Sequence, residues 1–117
     1  ENRTSSVTEL SKATLFTTTP HLFKGVARER YDAIERQVKL FRYGCDCYAY
    51  CMLAAGFVDL VIETALQPYD IVALVPIIEA AGGIVTDWDG SRPEKGGNII
   101  AAATPELHQA AMAMMRG

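Results

Sequence analysis

The sequence predicts an α/β fold, with helices layered on a mostly parallel or mixed five-stranded sheet. Three observations predict it. Short segments rich in β-branched residues alternate along the chain with longer amphipathic or apolar stretches of helical length. Glycine and proline fall between the two kinds and punctuate them. No internal repeat, low-complexity tract or linker breaks the alternation over 117 residues, a length that fits one domain, 1–117, with material for a core.

In chain order, Ser6 followed by Glu9 has capping-box spacing and predicts a short helix reaching Lys12. Residues 13–19, ATLFTTT, read as a first strand ending at Pro20. Over residues 23–37, Phe23, Val26, Ala33 and Ile34 fall near helical spacing between charged residues, so a helix with a solvated outer face is expected. Residues 38–43, VKLFRY, alternate apolar and basic and predict a strand reaching Gly44. Asp46 then opens an apolar helix over 47–55, stopped by Gly56, and residues 57–63, FVDLVIE, form a third strand. After the 67–81 region come two further strands, 84–88 and 98–103, joined by a polar loop with Asp-Gly and Gly-Gly turn signals. Thr104 as N-cap and Pro105 at the first helical position open a last helix that ends near Arg116.

The run from 67 to 90, QPYDIVALVPIIEAAGGIVTDWDG, organises the rest. It reads as a loop carrying Asp70, a buried helix starting at or beside that residue, a Gly82-Gly83 stop and a strand behind. Pro76 would cost a central strand a ladder bond and a helix a backbone bond. Length decides for the helix, because about a dozen apolar residues ending in two glycines suit a glycine-capped helix better than a strand.

Composition narrows the function. Half of the residues are apolar and 21% are charged, so disorder is not expected. Apolar runs broken by Pro76, Gly56 and Asp59 fall short of a membrane span. The polar start, ENRTSSVTELSK, lacks the order of a signal peptide, and the expected compartment is the cytoplasm. A net charge of −3 without a basic run weighs against nucleic acid. Cys45, Cys47 and Cys51 make a poor disulfide framework, and His21 and His108 are too remote to complete a zinc site. Cys47 and Cys51 share a helical face, for which packing is the plainer reading.

No Walker A loop, GxGxxG, GxSxG, HExxH or CxxC pair occurs. What remains is a set of carboxylates, Asp46, Glu63 and Asp70, at strand ends and helix beginnings, where ligands of open α/β sheets sit. Oxygen ligands of this kind suit magnesium, which commonly uses one or two carboxylates plus substrate phosphate. Each has a structural reading beside the functional one. Asp46 and Asp70 would serve as N-caps, and Glu63 as a solvated strand end.

The run RYGCDCYAYCMLAAGFVDLVIETALQPYDIVALVPIIEAAGGIVTDWDG resembles the inositol monophosphatase family, most closely its histidinol-phosphate phosphatase branch. Arg42, Gly44-Cys45-Asp46, Glu63, Tyr69-Asp70 and Glu79-Ala80-Ala81-Gly82-Gly83 match in identity and in mutual spacing. The resemblance covers nearly the whole chain and weakens toward the N-terminal segment. It implies that Asp70 is a magnesium ligand, and that Glu63, Gly44, Cys45 and Asp46 contact the alcohol part of a phosphate monoester. Arg42 fits either a phosphate contact or a structural ion pair. Asp46, where inositol-type enzymes carry a small residue, would suit the amine or imidazolium of histidinol phosphate. Tyr69 replaces the usual tryptophan and keeps an aromatic wall.

The large departure is an absence. Family members are about twice as long, and their N-terminal half brings a glutamate pair and an Asp-Pro-x-Asp-Gly-Thr motif that these residues lack. The resemblance therefore implies the C-terminal half of a magnesium-dependent phosphatase, inactive alone. Its expected partners are the phosphate monoester, the N-terminal half and a second copy in a homodimer, with no nucleic acid and no membrane. Inositol 1-phosphate is the alternative substrate. A non-catalytic small-molecule-binding or assembly module is the alternative of another class, and a bare sheet face is the feature expected to mark a half-fold.

Overall fold

The computed structural model describes residues 3–44, 46–66, 68–93 and 97–117, with the side chains at 46–48, 65–66 and 68–70 outside that description. In chain order its elements are β1 (Thr14–Thr17), α1 (Val26–Glu35), β2 (Leu40–Tyr43), α2 (Asp46–Ala54) and β3 (Leu60–Leu66). There follow α3 (Pro68–Ala80), β4 (Ile84–Thr86), β5 (Gly97–Ala102) and α4 (Pro105–Arg116). The strands form one five-stranded sheet in the order β2-β1-β3-β5-β4. β1 runs parallel to both β2 and β3, whereas β5 is antiparallel to β3 and β4, so the sheet is mixed.

Period-two alternation sends successive strand residues to opposite faces, and two separate cores result. Leu15, Leu60, Ile62, Ile100 and Ala102 pack with Tyr31 and Ile34 of α1 and with Leu107, Ala111 and Met115 of α4. Phe16, Val61, Ile99 and Ala101 face the other way, against Tyr50 and Leu53 of α2 and Ile71, Leu74, Val75 and Ile78 of α3. Burying each such aliphatic side chain is worth about 2 kcal/mol. The helix pairs hold the sheet between them.

Most boundaries follow the sequence; the exceptions have physical causes. The capping-box helix does not form. Only a 3-10 turn, Leu10–Lys12, appears, and Glu9 at its N-cap makes no side-chain cap. Tertiary bonds hold the preceding segment instead: Thr4 N–H donates to Ala81 O (3.0 Å) and Thr4 Oγ1 to Ala103 O (2.9 Å). The first long helix starts at Val26, after a 3-10 turn at Pro20–Leu22 and a positive φ of 56° at Gly25. β2 is exposed throughout instead of half-buried, because it is an edge strand. β3 begins three residues later than the sequence predicts and runs past Glu63, which therefore lies inside the strand. Cys51 faces solvent, contrary to the packing reading, because Tyr50, Leu53 and Ala54 take the inner face of α2.

The predicted glycine stop of α3 is a Schellman arrangement. Gly83 N–H donates to Ile78 O (2.9 Å) and Gly82 N–H to Glu79 O (3.0 Å), with Gly82 at φ 102°. Gly83 has a different reason to be glycine, since a Cβ there would come within 2.8 Å of Ile78 Cγ2 and 3.0 Å of Ala102 O.

Asp59, only 7% exposed, ties four pieces of chain together. Its Oδ2 accepts from Thr14 N–H (2.8 Å), its Oδ1 from the Ser5 hydroxyl, and its backbone N–H and C=O bond Thr14 O and Ala103 N–H. On the far side of the sheet, Thr86 has a single hydroxyl proton, which it donates to Asp87 O (2.7 Å), so the 2.7 Å contact with His108 Nε2 must be donated by the imidazole. Burial lowers the pKa of His108 below its ordinary value.

Two outcomes follow for stability. Asp59→Ala removes the acceptor of the half-buried Thr14 N–H and Ser5 hydroxyl, and its expected cost is about 2 kcal/mol, read as a lower denaturant midpoint. For His108, the unfolded chain takes up the proton first as pH falls through about 6.5, so stability drops on acidification. His108→Gln keeps a donor toward Thr86 but cannot titrate, and the difference in midpoint between pH 7.5 and pH 5.5 should shrink by comparison with the unaltered chain.

Candidate functional site

The connections from β1 and β3, which are neighbours, leave in opposite directions. β1 passes into α1 on one face and β3 into α3 on the other. A crevice opens where adjacent parallel strands diverge in this way, beyond their carboxyl ends. The register that pairs Leu15 with Leu60 and Phe16 with Val61 carries on to set Thr18 opposite Glu63 at the mouth of that crevice. Both side chains share the parity of Phe16 and Val61, and so turn toward the α2 and α3 face.

Glu63 is 4% exposed, which removes the reading of a solvated strand end. Its partner is Thr18, which the sequence did not single out. Thr18 N–H donates to Oε1 at 2.7 Å, and its hydroxyl lies 2.9 Å from Oε2 and 3.1 Å from Oε1. A buried carboxylate requires such donors, since without them its desolvation would be prohibitive. The run of three threonines before Pro20 is the available signal: a hydroxyl and a free N–H at a strand's end suit a neighbouring carboxylate.

Gly44 continues the β1–β2 ladder, donating its N–H to Thr17 O at 3.0 Å, one residue from Thr18. Its φ of 89° disfavours any side chain, and open space surrounds the position a Cβ would take. The chain then turns into α2 at Asp46, while α3 starts at Pro68 beyond β3. Two helix N-termini, positive ends of their dipoles, thus lie at the end of the sheet that carries Thr18, Gly44 and Glu63. Asp70 stands in the first turn of α3, at the helix N-terminus as the sequence predicts, with Pro68 at the first helical position. Cys45 lies outside the described residues, as do the side chains of Asp46 and Asp70. Arg42 is exposed, donates to the neighbouring Phe41 O at 3.3 Å, and makes no ion pair among the described residues.

A metal ion finds no complete site in the described part of the chain, where no three His, Cys, Asp or Glu side chains come together. No helix among the described residues is long and apolar enough to cross a membrane.

Comparison with known proteins gives this geometry a context. The family model described as "Inositol monophosphatase family" matches residues 1–116. The chain is 49% identical over 118 aligned residues to the bifunctional phosphatase IMPL2, chloroplastic, of Arabidopsis thaliana, covering 93% of this chain and 34% of that protein. It is 34% identical to the histidinol-phosphatase of Mycobacterium tuberculosis, covering 83% of this chain and 38% of that one. Among solved structures, an inositol monophosphatase from Zymomonas mobilis superposes with a TM-score of 0.92 at 39% identity, over 98% of this chain and 46% of that chain. The chain therefore spans between about a third and a half of the length of these relatives.

Proposed function

The chain belongs to the inositol monophosphatase family, and from that membership we propose that it is the C-terminal part of a magnesium-dependent phosphate monoesterase of the histidinol-phosphatase kind. The observation that carries this is the buried Glu63, oriented by Thr18 at the crevice mouth of a sheet that follows a solved relative closely. Histidinol phosphate is favoured by the histidinol-phosphatase of M. tuberculosis at 34% identity and by Asp46, an acidic residue suited to a cationic amino alcohol. Inositol 1-phosphate is the second reading, and the 39% identity to an inositol monophosphatase favours it.

In this reading Glu63 accepts from the alcohol part of the substrate, and the Gly44 backbone lets that part approach without obstruction. Cys45 and Asp46 flank it, and the α2 N-terminus faces the negative end. Arg42, exposed on the edge strand, keeps N–H donors beyond its bond to Phe41 O with which to meet phosphate. Asp70 is assigned one ligand bond to magnesium. The ion, when bound, would lower the pKa of a water and steady the leaving alkoxide. The remaining ligands and the positioning of that water are assigned to an N-terminal half of the same protein.

Surface apolarity supports a missing partner. Helices cover the strands at the centre of the sheet, but the edge strand β2 leaves Leu40, Phe41 and Tyr43 exposed. Val72, Ala73, Pro76 and Ile77 on the outer side of α3 are exposed as well.

The isolated chain is expected to release no phosphate from histidinol phosphate with magnesium present, while the complete protein does so; turnover by the isolated chain at a comparable rate would overturn the proposal. In the complete protein, Asp70→Asn should raise the magnesium concentration required and lower kcat by at least about a hundredfold, and an unchanged magnesium titration would remove Asp70 from the ligand set. Asp46→Ala should cost about tenfold or more in kcat/KM on histidinol phosphate and little on inositol 1-phosphate; equal losses would favour the second reading.

A further inference from the structure

We propose that Thr18 is a positioning residue that sets the angle at which the Glu63 carboxylate meets the alcohol part of the substrate, and so helps to discriminate a cationic alcohol from a neutral one. The inference rests on the reading of Glu63 as the residue facing that alcohol.

One residue grips both oxygens of one carboxylate. The backbone N–H reaches Oε1 at 2.7 Å and the hydroxyl reaches Oε2 at 2.9 Å. The N–H belongs to the end of β1 and cannot move independently of the sheet. The hydroxyl comes from a side chain that the register sets across from Glu63. A single anchor would leave the carboxylate free to swing about its last torsion, which is soft. Two anchors on different oxygens arrest that swing and fix the plane in which the remaining lone pairs point. Thr18 donates both contacts, which suit an ionised carboxylate, an acceptor at both oxygens. That is the state that attracts an ammonium or imidazolium more strongly than a hydroxyl, because the hydrogen bond is then charge-assisted on both sides.

A purely structural clamp closing the ends of β1 and β3 would use the same bonds. It differs in what it predicts, because a structural role changes how much protein is folded and not which substrate the folded protein prefers. The test uses the complete protein with histidinol phosphate and inositol 1-phosphate as probes, and reads the ratio of their kcat/KM values, which is independent of folded fraction. Thr18→Val removes the hydroxyl at nearly constant volume, Thr18→Ala removes it without adding a methyl should Val pack badly, and Thr18→Ser keeps it. The expected result is a KM for histidinol phosphate raised about tenfold, equivalent to one lost charge-assisted hydrogen bond, with kcat within about threefold and the ratio shifted toward the neutral substrate. Thr18→Ser should restore both. An unchanged ratio in Thr18→Val and Thr18→Ala, beside a changed ratio in Glu63→Gln, would overturn the role of Thr18 and leave that of Glu63 standing. An unchanged ratio in Glu63→Gln itself would overturn the reading of Glu63, and this inference with it.

Discussion

The centre of the sheet depends on two carboxylates contributed by one stretch of chain. β1 and β3 share a short ladder, Leu15 with Leu60 and Phe16 with Val61. Beyond each end of it an acidic side chain takes over. Asp59 accepts the N–H of Thr14 at 2.8 Å, and Glu63 accepts that of Thr18 at 2.7 Å. Donors and acceptors are each four residues apart, so both carboxylates lean to the same side of the sheet. Each is buried, and each is satisfied by a backbone N–H and a hydroxyl, which is the condition for keeping such a group out of water.

The same device has different consequences at the two ends. Around Asp59 the chain closes on itself. The segment carrying Thr4 and Ser5 lies across the Gly83 turn and the end of β5, and the absent Cβ of Gly83 is what admits it. Around Glu63 the chain diverges, sending α1 and α3 to opposite faces and opening two helices toward solvent. A carboxylate used to seal one end of the sheet is therefore available at the other end to meet a ligand. Under the reading proposed above, the structural and functional roles of Glu63 are not competitors, since the hydrogen bonds that fix it in the sheet would also aim it.

Much of this was legible in the sequence, for particular reasons. Alternating β-branched and helical segments announced the α/β class, and Thr104-Pro105 and Gly82-Gly83 marked helix ends because their backbone chemistry is local. Glu63 was legible as a candidate because it closes a nearly apolar predicted strand, where ligands of open α/β sheets sit. Thr18 and Asp59 were not, because their importance comes from pairing across 45 residues of chain. Ser6 and Glu9 misled for the same reason. Their spacing favours a local cap, but the bonds made by Thr4 and Ser5 to distant elements outweigh about 1 kcal/mol of capping. The exposure of β2 depended on which strand became an edge, and that of Cys51 on which side of α2 met the sheet, and no local pattern records either.

The composition of α3 bears on how the proposed site is divided. An outermost helix in a layered fold is amphipathic, and α4 conforms, burying Leu107, Ala111 and Met115 while exposing Glu106, Gln109 and Arg116. α3 does not conform. Ile71, Leu74, Val75 and Ile78 fill the core, yet Val72, Ala73, Pro76 and Ile77 on its outer side are also apolar. A helix apolar on both sides belongs between two layers. Under the reading proposed above, the second layer is the half of the protein that also supplies the missing metal ligands. The helix that carries Asp70 in its first turn would then offer, along its outer side, the surface on which that half docks. Packing and ligand set would be incomplete for one reason and completed by one event, because the layer that covers Val72 and Ile77 would bring its ligands up beside the first turn of the same helix.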